Sequence, residues 1–471
     1  MGAFTTPETQ ENRVGLLNSL FKEIYADNLE NLLPKGLKLQ KDIAWIEKSK
    51  SPGAKYNQPV LMRHEHGFTY ANNSSGAFAL EDAVPGQTDT CNILGTQMML
   101  RSIIDYEIAA RASSAGKRTF RRALDLVVEN MFASSRKRME IDYFYGQRSL
   151  LESSDCSTVD GKSVITCSER SWAPGIWAGM EGAKLSAFAN ETSGVHAAVT
   201  SGSVAEDTHA NVQTIPKIAD AVINDTLEGV NVQDKKLTLA ADGFTALISD
   251  ADEDSRSGWV CFKGAMEDAT TSKPTLTGNV FAGMESIMDP EIQARTETFN
   301  LDFTQNSLWQ PNVVDVNAQL NFSHVANQLA TASAKGLDEN LILYLNPHVW
   351  TDLVLQEMTT GGDNRIRWTD GKAAKGGYDV GGTSVRYHTA NGVVEIKPSN
   401  YVKTGFGFMF APKLWKRIGA TDLTFRLPDR GDEFFLHLPQ HAGYELRNYV
   451  SHALFTKAPA KSILLKNIKL A

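Results

Sequence analysis

Residues 118–145, RTFRRALDLVVENMFASSRKRMEIDYFY, decide how this chain is read. Phe120, Leu124, Val127, Met131, Phe132, Met139 and Tyr143 form an apolar stripe at helical spacing, and neither Pro nor Gly interrupts the run before Gly146. At 1.5 Å per residue the run predicts a rod of roughly 42 Å, longer than the usual three or four turns. One face is basic, with Lys117, Arg118, Arg121, Arg122, Arg136, Lys137 and Arg138. That face is either solvated, with intrahelical pairs to Asp125 and Glu129, or a contact for a polyanion.

Upstream of the rod, residues 51–96 are rich in turns: Pro52-Gly53, Asn72-Asn73-Ser74-Ser75-Gly76 and Pro85-Gly86. Strand-like runs at Val60–Tyr70 and Ala77–Val84 flank the central cluster and predict a long hairpin. A two-stranded hairpin is marginal alone in water, so this one packs on its own body or reaches a neighbour. Further upstream, Thr6-Pro7-Glu8 reads as a helix start. Leu17, Leu20, Phe21, Ile24 and Tyr25 then share a face, and Pro34-Lys35-Gly36 ends the segment.

Downstream, from Val164 to about Lys273, the pattern predicts short strands such as Lys236–Leu239, Phe244–Ile248 and Trp259–Phe262, with helical period only at Ile215–Asn224. Strands follow at Thr298–Phe303 and Val313–Val316, then a helix at Val325–Ala334. Asn340–Leu345 (with LILYL) is a buried strand, Pro347–Met358 a helix and 361–381 a Gly-rich loop. Strands are predicted at Ser384–His388, Val393–Ile396, Gly407–Phe410, Thr424–Leu427, Glu433–Leu438, His452–Thr456 and Ser462–Ile468. The fold class is α+β, without repeats.

The chain has 471 residues, 42% apolar and 22% charged, which excludes a disordered or collagen-like polymer. No apolar stretch reaches a membrane span, and MGAFTTPETQ lacks the basic and apolar regions of a secretory signal. A net charge of −8 argues against a sequence-specific nucleic-acid reader. Residues 201–290 hold 15 acidic and 6 basic side chains, an excess that suggests a separate solvated lobe. The four cysteines form no C-x-x-C pair and fit a reducing compartment. Cys156 and Cys167 can bridge only if their Cα atoms come close.

Signatures of chemistry are absent. There is no G-x-S-x-G, no phosphate loop at Gly116-Lys117 or Gly371-Lys372, and no G-x-G-x-x-G opening a helix. His64-Glu65-His66 would need a third ligand to hold a metal and reads as a polar strand face. Asp250, Asp252 and Asp254 open like a calcium loop, but Ser255 and Cys261 stand where Gly and Glu belong. No catalytic residue, metal or cofactor is assigned, and a structural or binding role is expected.

The order of elements resembles the major capsid protein of tailed bacteriophages, the HK97-type shell fold. The resemblance rests on the pattern and order of ILGTQMMLRSIIDYEIAARASSAGKRTFRRALDLVVENMFASSRKRMEIDYFYG, WAPGIWAGMEGAKLSAF, GMESIMDP, FNLDFTQNSLWQPNVVDVN and NYVSHALFTKAPAKSILLKNI. It implies an N-terminal arm at 1–50, an extended hairpin loop at 51–96, and a peripheral domain at 97–189 with its spine helix at 117–146. It further implies a β-rich acidic insertion at 190–280, peripheral strands at 281–316, an axial domain at 317–445, and a returning strand at 446–471. The loop would lie over a neighbouring subunit, with Tyr70, Phe78 and Leu80 as candidate contacts. Arg118, Arg121, Arg122, Arg136, Lys137 and Arg138 are the candidate genome-proximal cations.

The implied partners are further copies of the chain in hexamers and pentamers, packaged double-stranded DNA held without sequence preference, and a portal protein. The implied location is the virion, after assembly in the host cytoplasm. Some members weld the loop to a neighbour through a Lys–Asn bond, but no lysine occurs here between Lys55 and Lys117, so non-covalent locking is expected. No long fused scaffold segment precedes the arm, which points to a separate scaffolding protein, and decoration proteins are further implied partners. The rival readings are an encapsulin-like nanocompartment shell, a hydrolase with a β-sandwich module, and a tail-tube or surface-array protein. Size and the β-rich insertion favour the phage shell.

Overall fold

The computed structural model describes residues 38–46, 55–73, 76–105, 117–190, 223–248, 257–265, 279–289, 297–304, 306–359, 367–368, 385–389, 392–425, 435–437 and 443–470. The predicted N-terminal helix, the Asp250–Asp254 turn and nearly all of the 361–381 loop lie outside them. Two compact units result. One joins Gln97–Met139 with Gly419–His452; the other joins Lys38–Thr96, Glu140–Ile418 and Ala453–Ala471.

The long helix spans Lys117–Tyr145. In the first unit its Val127, Val128, Met131 and Phe132 pack with Leu100 and Ile104 of strand Thr96–Asp105, Leu446 of strand Gly443–Thr456, and Phe425. The Phe132 and Phe425 rings meet edge-on at 4.7 Å. The expected strands at Thr424–Leu427 and His452–Thr456 are instead Trp415–Thr424 and Gly443–Thr456. The second has buried residues on both faces, so it lacks the alternation that marks a half-buried strand.

In the second unit a seven-stranded sheet runs in the order Asn312–Asp315, Ile463–Lys466, Gly407–Phe410, Leu341–Leu345, Gly392–Pro398, Val385–Thr389, Arg367–Trp368. Side chains alternate along a strand, and all five residues of the central strand LILYL are buried. Leu341, Leu343 and Leu345 share a core with Val325 and Leu329 of helix Phe322–Ala334 and Val349 and Leu353 of helix Pro347–Thr359. Asn321 caps the first of these helices by accepting from the His324 amide at 2.8 Å. On the other face Tyr344 packs with Phe410 and with Phe144 near the end of the long helix, each at 6.0 Å.

Residues 151–262 supply a closed barrel in the order Ser257–Phe262, Leu151–Val159, Lys162–Cys167, Lys236–Leu239, Ile223–Asn231, Lys184–Asn190. Its strands begin at Leu151 rather than Val164. Asp160 and Gly161 form the two-residue turn between the first hairpin strands, with φ of 52° and 72°, the signature of a primed turn. Phe244–Ile248, expected as a strand, belongs to a helix, Gly243–Ile248. It packs on three barrel strands with Phe244 fully buried, and a run this short carries no period to distinguish the two. Cys156 pairs with Ile165 and Cys167 with Ser153 across the ladder, and both thiols are free.

The end of the long helix meets the loop before the short helix Met284–Met288 at two glycines. A Cβ on Gly146 would lie 2.2 Å from the Phe281 carbonyl oxygen, and one on Gly283 would lie 2.3 Å from the Gly146 amide nitrogen. Gly146→Ala or Gly283→Ala is therefore expected to cost about 1–3 kcal/mol or more through overpacking, read as a lowered midpoint of denaturant unfolding.

Candidate interaction surface

The hairpin, in the second unit, pairs Lys55–Leu61 with Thr88–Leu94 in register from Lys55 opposite Leu94 to Leu61 opposite Thr88. The expected strands at Val60–Tyr70 and Ala77–Val84 are thus displaced. The ladder sits at the base, and beyond it only His66 and Val84 bridge, with N–H···O bonds of 2.9 and 3.2 Å. Gly67 explains part of this. Its φ is +106° and a Cβ would lie 2.8 Å from the Asp82 carbonyl oxygen, so the chain turns out of extended geometry there.

The base is anchored. Cys91 and Ile93 are buried, Tyr56 and Phe455 rings lie 6.2 Å apart, and the Asn92 amide donates to the Phe299 carbonyl at 3.1 Å. Phe299 sits in the turn between Glu297–Thr298 and Leu301–Asp302 at φ 55°, a costly conformation for a bulky residue, with its ring 5.2 Å from Phe455.

The tip is the reverse. Leu61 at the end of the ladder and Phe68, Tyr70, Phe78, Leu80 and Val84 beyond it account for six of the eleven large apolar side chains exposed among the described residues. Tyr70 is 92% exposed, Leu80 78%, Phe68 73% and Phe78 52%. Scattered single apolar residues need no explanation, but a concentration on one projecting element marks an interaction surface. Full burial of each such side chain is worth roughly 1.5–3 kcal/mol. Sequence reading named Tyr70, Phe78 and Leu80. Leu61, Phe68 and Val84 lie in the same two expected strands, and nothing in the local pattern sets their exposure apart from that of Tyr70, Phe78 and Leu80.

The basic candidates separate. Arg118, Arg121 and Arg122 lie in the long helix, but their side chains are outside the described residues. Arg136 is exposed, with its guanidinium 5.6 Å from the Phe132 ring centroid, Arg138 is half-buried and Lys137 is buried. Successive helical residues point about 100° apart, so three in a row cannot share one face. His64, Glu65 and His66 are all exposed.

A further contact holds the chain that leads into the hairpin. Glu140, fully buried, accepts from the amides of Lys38, Leu39 and Gln40 at 2.9, 2.7 and 3.1 Å. Asp42 pairs with Lys397 at 3.0 Å and accepts from the Tyr344 hydroxyl, and Arg417 Nε donates to the Ile43 carbonyl at 2.9 Å. The helix end MEIDYFY is apolar nearly all round, which predicts burial on every side and hence a partner for Glu140.

Two measurements test these anchors. Phe455→Ala should speed amide exchange across 55–61 and 88–94 by about fivefold or more, because it removes aromatic packing of about 1 kcal/mol or more. Burial pushes the Glu140 carboxyl up to about 7, against the pull of the three amides and Arg417. The folded state then holds this proton more tightly than the unfolded one. The associated stability is present below about pH 4.5 and falls, by up to roughly 3 kcal/mol, as pH rises toward 7. Glu140→Gln should flatten that part of the stability–pH curve.

Comparison with solved structures places the fold. The chain is similar to the protein of the cyanophage A-1(L) capsid asymmetric unit, with a TM-score of 0.50 and 8% identity over 96% of this chain and 98% of that one. It is similar also to the capsid of a native GTA particle (TM-score 0.41, 9% identity, 99% and 100% covered). A third likeness is to the encapsulin complex of Synechococcus elongatus (TM-score 0.40, 8% identity, 99% and 97% covered). No family model and no curated protein matches the sequence. The architecture is the HK97-type α+β capsid fold.

Proposed function

We propose that this chain is the major capsid protein of a tailed double-stranded DNA phage, assembling as hexamers and pentamers into an icosahedral head. The observation that carries the reading is the hairpin. On a capsid fold, an element with an anchored base presents six exposed apolar side chains that its own body leaves uncovered. Such residues gain their burial from a neighbouring copy, and folding stability then becomes linked to assembly. Tyr70, Phe78 and Leu80 are assigned to that contact together with Leu61, Phe68 and Val84.

The role is structural rather than enzymatic, exercised in the virion after assembly in the host cytoplasm. Packaged DNA is held without sequence preference. Arg118, Arg121, Arg122, Arg136 and Arg138 are its candidate neighbours, and the net charge of −8 keeps the grip weak. A portal protein and scaffolding and decoration proteins complete the expected partners. With no lysine in the hairpin beyond Lys55, subunits are locked without covalent bonds.

Electron microscopy of the purified protein, with nuclease digestion of its contents, tests the reading. Icosahedral particles holding nuclease-protected DNA when made with the rest of the head are expected. Shells filled with a cargo protein would instead indicate an encapsulin-like compartment, and monomers or filaments would exclude both. Tyr70→Ser combined with Leu80→Ser should leave subunit stability within about 0.5 kcal/mol, as for other exposed positions, while particle yield drops sharply in sedimentation.

A further inference from the structure

The second unit contains a buried cluster of charges that the assembly reading does not use. Asp289 follows the helix Met284–Met288 and is wholly buried, and its side chain is ion-paired with Lys466 at the end of strand Ile463–Lys466. Arg148, also buried, donates through Nη2 to the Asp289 backbone carbonyl, while its Nε and Nη1 have no hydrogen-bond partner. Glu285, one turn before Asp289, interacts electrostatically with both Arg148 and Asp289, and pairs with Lys403 at 3.3 Å.

A primary amine, a buried carboxyl and a guanidinium with two uncommitted nitrogens make a recognisable chemical set. Burial raises the Asp289 carboxyl above its ordinary range despite Lys466 and Arg148, which favours the protonated acid. We propose that Asp289 and Lys466 condense into an intrachain isopeptide bond. The Lys466 ammonium passes a proton to the Asp289 carboxylate, leaving an amine and a carboxylic acid. Lys466 Nζ then attacks Asp289 Cγ, the C–N bond forms, and the developing oxyanion takes the unused N–H groups of Arg148. The C–OH bond breaks, and hydroxyl plus one proton from nitrogen leave as water, with Glu285 as the proton carrier. No oxidant or co-reactant is needed. A neutral amide replaces two desolvated charges, so the cost of burying the pair becomes a driving force for the step.

The joint would tie the C-terminal strand of the seven-stranded sheet to the helix beside the Gly146–Gly283 contact, within one chain. It is therefore separate from any weld between subunits. Residue 290 is proline, which has no amide N–H, so Asp289 cannot lose water by cyclising onto the next residue.

Mass spectrometry of the full-length folded protein, denatured before injection, decides the matter. The expected result is an intact mass one water below the sequence mass. A tryptic peptide carrying Asp289 should be joined to one carrying Lys466, with no cleavage after Lys466. Asp289→Ala and the charge-conserving Lys466→Arg should each restore the full sequence mass, and the second keeps the test open if the first does not fold. Asp289→Asn should still join, losing ammonia in place of water. An intact mass equal to the sequence mass, with both peptides recovered linear, would show an ordinary ion pair and overturn the proposal.

Discussion

The last turns of the long helix, Glu140 to Gly146, are buried at every residue, and that single constraint organises the larger unit. A helix end with no solvent face must be matched on all sides. Glu140 collects the amides of residues 38–40, and Phe144 meets Phe408 and Tyr344 of the sheet. The Tyr145 hydroxyl accepts from the Lys403 amide at 2.8 Å while the Lys403 ammonium lies 4.1 Å from its ring centroid. Gly146 admits the backbone at Gly283. Each contact brings in a segment distant in sequence, so sheet, hairpin approach and the short helix at 284–288 are registered against one rod.

The hairpin depends on the same economy of burial from the opposite direction. Its base is held by Cys91, Ile93 and the Tyr56–Phe455–Phe299 rings, and among the described residues its tip side chains are exposed. A ladder fixes direction, and an irregular tip leaves the apolar side chains free to fit a complementary surface. Gly67 and Gly86, where added side chains would meet the opposite backbone, keep the two tip strands close without a continuous ladder. This division between an anchored base and an exposed tip is the feature on which the proposed assembly role rests.

Part of this is legible in residues alone. The uninterrupted apolar period from Phe120 to Tyr143 states a long helix, LILYL between turn residues states a buried strand, and the Asn/Ser/Gly cluster states a hairpin. Asp160-Gly161 between strand residues was also a readable turn, and it marks where the barrel begins. Other features carry no local signal. Phe244 could lie on a strand or a helix until barrel strands surround it, and the 14-residue strand at Gly443–Thr456 loses its period because both faces are covered.

The amino-acid order by itself determined the long helix, the buried LILYL strand and the presence of a hairpin, because helix period, apolar runs between turns and turn chemistry are local properties of the backbone. Tertiary structure alone decided which hairpin residues pair, that Lys137 is buried beside an exposed Arg136, and that Glu140, Arg148 and Asp289 are drawn inside. Burial and charge pairing are set by segments more than a hundred residues apart, and no window of sequence contains both partners.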